Sequence, residues 1–478
     1  MLSKIKAKYS AIPLTVKVSV AYAVCSIVQK CISFFTMPLF TRMLTKEQYG
    51  QYTVYQSWSG ILSIFLTLNL AYGSFSSAMV KFEDKRTSYV SSIQGICLIL
   101  SVAFLAIYLP LNELWNKLFE LPTYVILVLV AEITAQTAVL LWNGKKRFEL
   151  KYKSVICVTL LTSFFCPLMA YILITVTEEK GYARIIGYAL VNIIIGGIIF
   201  FINTYKGKML YNKAFWKYAF SFNIPLLAYY LSQMIFNQSD RIMISHICGI
   251  GDAALYGVAY NLSMLMTFVL NAINNSYIPW LYGKLKSENA EANKTISCGI
   301  AFLMALIILC IIWFAPEIIA IMAGKEYLEA VWVVAPVSIS LLLLFYSQLF
   351  INIEFYYEEK RFLVIASIAA AIINIVLNFI LIPIFGFTAA GYTTLFSYII
   401  FAVSNYLAMK KILKKHTKKD NLYNYKGLLL ILVLFVVAGF CGVILYDLLI
   451  IRIAVTLAVF IGLLVCLPKV VASFKELK

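Results

Sequence analysis

The amino-acid sequence predicts an all-α polytopic membrane protein with about fourteen transmembrane helices. Three observations carry this prediction. Apolar residues are 62% of the 478 and charged residues only 13%, where a soluble domain is about half apolar and a quarter charged. Long apolar stretches follow one another from end to end, each close to the roughly 20 residues a helix needs to cross the hydrocarbon core. The loops between them are short and basic or polar, which leaves no room for a separate catalytic domain. Mean hydropathy is +0.87.

The expected spans are 14–39, 51–75, 88–109, 122–142, 154–177, 185–205, 218–247, 253–280, 295–316, 331–352, 362–384, 391–409, 427–446 and 450–468. The first is too long for the apolar core of a signal peptide and lacks a small-x-small cleavage site, so it is expected to be retained.

Net charge is +18, from 40 Lys+Arg against 22 Asp+Glu. In a soluble protein such a balance suggests a nucleic-acid partner, but its distribution excludes that here. With the N-terminus inside, inner segments carry 30 basic residues and outer loops 6; the other four, Lys17, Lys30, Arg241 and Arg452, fall within spans. This asymmetry predicts cytoplasmic termini. The densest cluster is Lys410, Lys411, Lys414, Lys415, Lys418 and Lys419, which reads as a topology determinant against an anionic leaflet. The ten cysteines form no CxxC pair and mostly lie within spans, as small apolar helix residues. Two histidines, His246 and His416, are too few and too distant for a histidine metal centre or triad. No cofactor is expected.

Weak internal similarity divides the chain. Tyr49-Gly50 and Tyr256-Gly257 recur 207 residues apart, each at the mouth of a second helix. Pro110 and Pro316 each end a third span, 206 apart, and Lys-Arg-Phe follows the fourth span at 146–148 and again at 360–362. "GYARIIGYAL" near Gly187 resembles "GFTAAGYTTL" near Gly391. The shared order predicts two six-helix bundles, residues 1–205 and 206–409, in a parallel repeat. A basic loop, 410–426, and two extra helices with the tail, 427–478, would follow. An even number of spans per repeat starts both halves on the same side, as in transporters built from parallel repeats.

The stretches "PLFTRMLTKEQYGQYTVYQSW", "IPLLAYYLSQMIFNQSDRIMISHICGIGDAALYGVAYNL" and "INIVLNFILIPIFGFTAAGYTTLFSYII" resemble the polysaccharide-flippase branch of the MOP superfamily, which also holds the MATE multidrug exporters. The resemblance covers essentially the whole chain. It implies a V-shaped pair of bundles that moves lipid-linked oligosaccharide across the bacterial cytoplasmic membrane, with Wzx-type O-antigen and capsule flippases as the nearest members. The first half has no counterpart of Asp240-Arg241, so charge placement is asymmetric.

Ionisable side chains at mid-bilayer cost about 2.5–3.5 kcal/mol on insertion scales, so they usually face a cavity or a partner. Lys30 lies on a helical stripe with Tyr22, Ser26, Gln29, Ser33 and Met37. Glu132 has Gln136 one turn later. Asp240 and Arg241 follow Gln233 and Asn237 on the seventh span. Two readings stand for each: a salt bridge between helices, such as Lys30 with Glu132, or a cavity role. Asp240 and Arg241, as sequence neighbours, point about 100° apart and pair poorly. Lys17 and Arg452 are expected to snorkel to the interface. Arg42, after Pro38, is either an interface anchor or an exit-site phosphate contact. Asn261, Asn271, Asn274 and Asn275 supply either interhelical hydrogen bonds or a wall for sugar hydroxyls. Tyr229, Tyr230, Tyr260, Tyr277 and Trp280 are either interfacial aromatics or stacking platforms.

The expected function is therefore alternating-access flipping of undecaprenyl-pyrophosphate-linked oligosaccharide for surface polysaccharide biosynthesis. Lys30, Arg241 and Arg42 are the candidate cations for the pyrophosphate. Gln29, Gln233, Asn237, Asn271 and Asn274 are candidate sugar contacts, and Glu132 and Asp240 are candidate sites for coupling to a proton or sodium ion. Other polysaccharide assembly proteins are candidate partners. A MATE-like exporter shares the expected fold but needs a net acidic cavity. A membrane polymerase or ligase would typically carry catalytic residues on a large outer loop, whereas the longest outer loops here, 110–121 and 317–330, are short.

Overall fold

The computed structural model describes residues 14–287, 291–359, 361–417 and 422–456. The basic N-terminal segment, Lys360, Lys418, Lys419 and most of the expected last span lie outside the described residues. Among the described residues the secondary structure is helical, with no strand. The chain divides into two compact units, 1–238 and 239–478, with the boundary inside one long helix.

The first unit contains α1 (Leu14–Met43), α2 (Lys46–Thr67), the short α3 (Phe75–Lys81), α4 (Arg86–Tyr108), the short α5 (Asn112–Phe119), α6 (Thr123–Phe148), α7 (Tyr152–Val176) and α8 (Lys180–Gly207). Helix α9 (Lys213–Cys248) carries the boundary. The second unit continues with α10 (Ile250–Met264), α11 (Met266–Lys286), α12 (Ala292–Trp313), the short α13 (Ala315–Met322), α14 (Val331–Tyr356), α15 (Arg361–Phe385), α16 (Thr388–His416) and α17 (Tyr425–Ile444). Residues 449–456 are helical again. Among the described residues ten helical segments are long and apolar enough to span a membrane, with α10 and α11 counted together. Helices α2, α9 and α16 also have spanning length but are more polar.

Several boundaries differ from the sequence expectation, each for a local reason. Helix α2 starts at a capping box: Thr45 Oγ1 accepts from Gln48 N at 3.3 Å, and Gln48 Oε1 accepts from Thr45 N at 3.1 Å. It ends at Thr67, short of 75, because Leu68 and Asn69 turn left-handed with φ of 47° and 54°. The eighth span breaks at Leu265, whose N–H is shared between Leu262 and Ser263 carbonyls. The two longest outer loops are themselves helical. Pro110 sits in a 3₁₀ turn leading into α5, and Pro316 in the first turn of α13. A proline there gives up no intrahelical hydrogen bond.

Both units use the same neighbours. In the first, the sixth spanning helix, α8, packs most extensively on α6 and α7; in the second its counterpart α16 packs on α14 and α15. Small residues make the first seam close. A Cβ on Gly187 would lie 2.4 Å from the Ala170 backbone of α7, and one on Gly196 would lie 2.5 Å from the Ala135 carbonyl of α6. This is how membrane helices approach when lipid offers no hydrophobic drive between them. Large apolar side chains such as Phe35, Phe201, Phe379 and Ile384 point out of the bundles.

The extra helix α17 packs on α12 and α14. Trp313 Nε1 donates to the Ala438 carbonyl at 2.9 Å, and Gly442 lies under the indole ring. Arg452 does not snorkel. It is 1% exposed and forks onto Glu317, with Nη1 at 2.9 Å and Nη2 at 2.6 Å from the two carboxylate oxygens. It also donates to the Trp313 and Tyr446 carbonyls. Glu317 on α13 meets it outside the spans, so both Nη atoms are paired within the protein while the buried Nε is not, and these hydrogen bonds hold the Glu317 carboxyl below its ordinary range.

Candidate functional site

In the first unit the acid at the centre of α6 is enclosed by neutral donors. Glu132 is 6% exposed. Its Oε2 accepts from the Tyr55 hydroxyl of α2, and its Oε1 accepts from Gln136 Nε2 at 2.9 Å and Asn192 Nδ2 of α8 at 2.8 Å. These groups take the carboxylate that could have paired with Lys30, so that salt bridge is not made. Lys30 is exposed on α1, and Gln29 beside it is half-buried. Arg42, also exposed, ends α1 and lines a cavity of about 510 Å³ with Met43, the end of α7 and Lys180.

In the second unit Asp240 and Arg241 sit on consecutive positions of α9 and face different partners. Asp240 is 1% exposed. Its Oδ2 accepts from Tyr256 of α10 at 2.5 Å and Thr394 of α16 at 2.6 Å, and its Oδ1 accepts from Asn378 of α15 at 2.6 Å. Asn374, one turn from Asn378, accepts from Ser239 at 3.3 Å and donates to Thr394 at the same distance. Arg241 is buried over the Tyr260 ring, 4.5 Å from its centroid, and donates from Nη2 to Asn261 Oδ1 at 3.3 Å.

The remaining candidates divide. Gln233 and Asn237 are half-buried on α9, where Asn237 Nδ2 donates to the Gln233 carbonyl at 2.8 Å. On α11, Asn271 and Asn275 are exposed, whereas Asn274 is buried and donates to Gln348 of α14, the interhelical role. Tyr277 is core: its hydroxyl donates to Asn293 Oδ1 at 2.6 Å. Tyr229 and Tyr230 are half-buried with ring centroids 5.7 Å apart.

Sequence reasoning missed Arg184, which it placed among outer-loop cations. Arg184 is in the first turns of α8 and only 5% exposed, against the rings of Phe40, Tyr49 and Tyr52. It also missed Tyr55, Asn192 and Thr394, which are ordinary polar residues until the fold brings them to an acid. Chemically, Glu132 and Asp240 are each buried among neutral oxygen and amide donors, and Arg184 and Arg241 are each buried against tyrosine. Among the described residues no three His, Cys, Asp or Glu side chains converge as a metal centre requires.

Residues 16–283, more than half of the chain, match the family of polysaccharide biosynthesis proteins. The chain belongs to that family. A curated relative, the Lsg locus putative protein 1 of Haemophilus influenzae, is 24% identical over 382 residues, which cover 75% of this chain and 89% of the relative. Among solved structures, the lipid II flippase MurJ in an inward closed conformation superposes with a TM-score of 0.68 at 14% identity, over 94% of this chain and all of that one. An inward-facing multidrug-resistance MATE transporter of the MOP superfamily gives 0.66 at 16% identity, over 84% of this chain and 99% of that one. At these identities the structures establish the fold. This family member is a multi-pass membrane protein with the fold those two transporter structures share, and the resemblance read from its sequence holds at the level of family and fold.

Proposed function

We propose that this family member flips an undecaprenyl-pyrophosphate-linked oligosaccharide across the bacterial cytoplasmic membrane by alternating access, for surface polysaccharide biosynthesis, with both termini cytoplasmic. The observation that carries the reading is the buried pair on α9. Arg241 lies on Tyr260 while the adjacent Asp240 is occupied by Tyr256, Thr394 and Asn378. The aspartate spends its oxygens on those three donors, and Arg241 brings a fixed positive charge into the interior that suits an anion. A pyrophosphate in a low-dielectric site needs such fixed charge, and Lys30 on α1 is the candidate cation of the first unit. With the inside negative, outward movement of each negative charge gains about 2.3 kcal/mol per 100 mV.

The acids Glu132 and Asp240 would serve as uptake sites for a returning proton or sodium ion. Exporters of organic cations instead need acids open to their ligand. Here the oxygens of both acids are hydrogen-bonded within the protein, an enclosure that suits a bare ion and not a bulky organic cation.

Lys30→Ala and Arg241→Ala should each strongly reduce surface glycan per unit of membrane-inserted protein, while Lys30→Arg keeps partial function because charge survives and geometry changes. Lys415→Glu, at the end of α16, should leave transport intact. Wild-type output from both alanine variants would end the cationic-site reading.

A further inference from the structure

Arg184 is a buried cation that the transport reading above does not use. Its guanidinium carbon lies 3.7 Å from the Tyr52 ring centroid, 4.5 Å from that of Phe40 and 4.6 Å from that of Tyr49. Neither Nε nor Nη1 has a hydrogen-bond partner. No ion pair to Arg184 is made among the described residues. Aromatic faces attract the charge but accept no fork of hydrogen bonds. A guanidinium held rigid by three rings, with donors left over, is prepared for an anion that arrives from outside the protein.

The surroundings point the same way. Lys180 precedes Arg184 by one turn of α8, and Arg42 follows Phe40 by two residues of α1. Arg42 and Lys180 both line the cavity of about 510 Å³, together with Thr175, Thr177 and Glu178. Its wall therefore carries two cations, one acid and two hydroxyls, and Arg184 adds a third cation one helical turn behind. Three cations against one acid suit a multivalent oxyanion better than a single carboxylate.

We infer that this end of the first unit binds a phosphate-bearing anion, with Arg42 and Lys180 at the rim and Arg184 as the deeper anchor locked by Phe40, Tyr49 and Tyr52. The charge asymmetry of the loops assigns the end of α1 and the start of α8 to the outer side. On the transport reading, on which the natural ligand rests, this is where a lipid-linked pyrophosphate is held as it leaves. The headgroup of an anionic lipid offers the same chemistry.

The test is direct binding, independent of transport. The full chain in phosphatidylcholine nanodiscs is titrated with inorganic pyrophosphate by calorimetry. Wild type should bind. Arg184→Gln and the double variant Arg42→Ala/Lys180→Ala should each weaken binding about tenfold or more, with Arg184→Lys between them and wild type, and Lys415→Ala should bind as wild type. The rim variant keeps the test decisive if Arg184→Gln does not fold. Nanodiscs containing phosphatidylglycerol separate the sources. Loss of pyrophosphate binding there makes the site a headgroup site, and unchanged binding favours the lipid-linked substrate; both keep the anion site. No binding to wild type, or undiminished binding to both charge-removal variants, overturns it. The transport reading fails separately, through the Lys30 and Arg241 variants.

Discussion

Replacing Asp240 separates structural from functional charge more cleanly than any other change in this protein. Its carboxylate accepts hydrogen bonds from Tyr256, Thr394 and Asn378, which are 0%, 3% and 0% exposed. Asp240→Ala strands these three donors in the interior. An orphaned buried donor costs about 1–3 kcal/mol. Asn378 Nδ2 already reaches Asn374 Oδ1 at 3.3 Å and recovers part of its loss, so the net cost should be about 3–5 kcal/mol. For a cooperative unit of this size that lowers the melting midpoint by roughly 10 °C. Asp240→Asn keeps the shape and one acceptor oxygen but turns an amide donor toward existing donors, so it should cost about 1–3 kcal/mol. The measurements are the melting midpoint of detergent-purified protein, followed by size-exclusion, and surface glycan per inserted molecule. The expected order of stability is wild type, Asn, then Ala. The Asn variant should be folded and inserted yet defective in transport, because the charge that takes up the coupling ion is gone. An Ala variant as stable as wild type would refute the hydrogen-bond network. An Asn variant with wild-type transport would refute the ion-uptake role and leave Asp240 as a structural buried acid.

Arg452→Met should release the end of α17 and the following helix from the second unit, because it removes the fork onto Glu317 and two carbonyl contacts, at a cost of about 1–3 kcal/mol with Glu317 33% exposed; limited proteolysis near Leu448 would read this, and unchanged resistance would contradict it. The latch is also pH-sensitive. Arg452 lowers the Glu317 pKa, so the stabilisation is complete above the ordinary glutamate value of 4.5 and is lost as pH falls through the lowered one. The melting difference between wild type and Arg452→Met should therefore close in acid, and a gap unaltered by acid would place the effect elsewhere. Gly196→Leu should cut the amount of folded protein, since its Cβ would already meet the Ala135 carbonyl at 2.5 Å and overpacking costs about 1–3 kcal/mol or more; normal folded yield would mean the α6–α8 seam can open.

The spans were legible because lipid imposes length and apolarity on every one of them. Where the sequence misled, the punctuation was missing. Residues 68–75 read "LNLAYGSF", apolar enough to extend α2, and the break at Leu265 has neither glycine nor proline to announce it. Glu132 and Asp240 stood out as charges within apolar runs, but their partners did not. Tyr55 is 77 positions from Glu132, and Thr394 is 154 from Asp240. Arg452 was misjudged for the same reason, since Glu317 lies 135 positions away. Arg184 sits at the start of a span, where an arginine ordinarily marks the interface. Only the approach of α1 and α2 to α8 reveals that it is enclosed.

The internal repeat preserves less chemistry in its residues than in its arrangement. In the first unit the acid comes from α6 and the arginine from α8; in the second both come from α9. Yet the second spanning helix of each unit supplies two tyrosines about one turn apart that hold the two charges separately. Tyr55 binds Glu132 while Tyr52 carries Arg184; Tyr256 binds Asp240 while Tyr260 carries Arg241. A direct ion pair would cancel each acid against its arginine and leave neither for a ligand. Breaking such a buried pair to admit a substrate would cost several kcal/mol each time. With a tyrosine hydroxyl on the acid and a tyrosine face on the cation, the acid and the arginine of each unit are not spent on each other. An anion approaching Arg184 then need not displace Glu132 first. The recurring Tyr-Gly positions at the mouths of α2 and α10 do not carry the same role, since Tyr49 lies against Arg184 whereas Tyr256 binds Asp240; the shared feature is the separation of acid from arginine, not the residue that makes it.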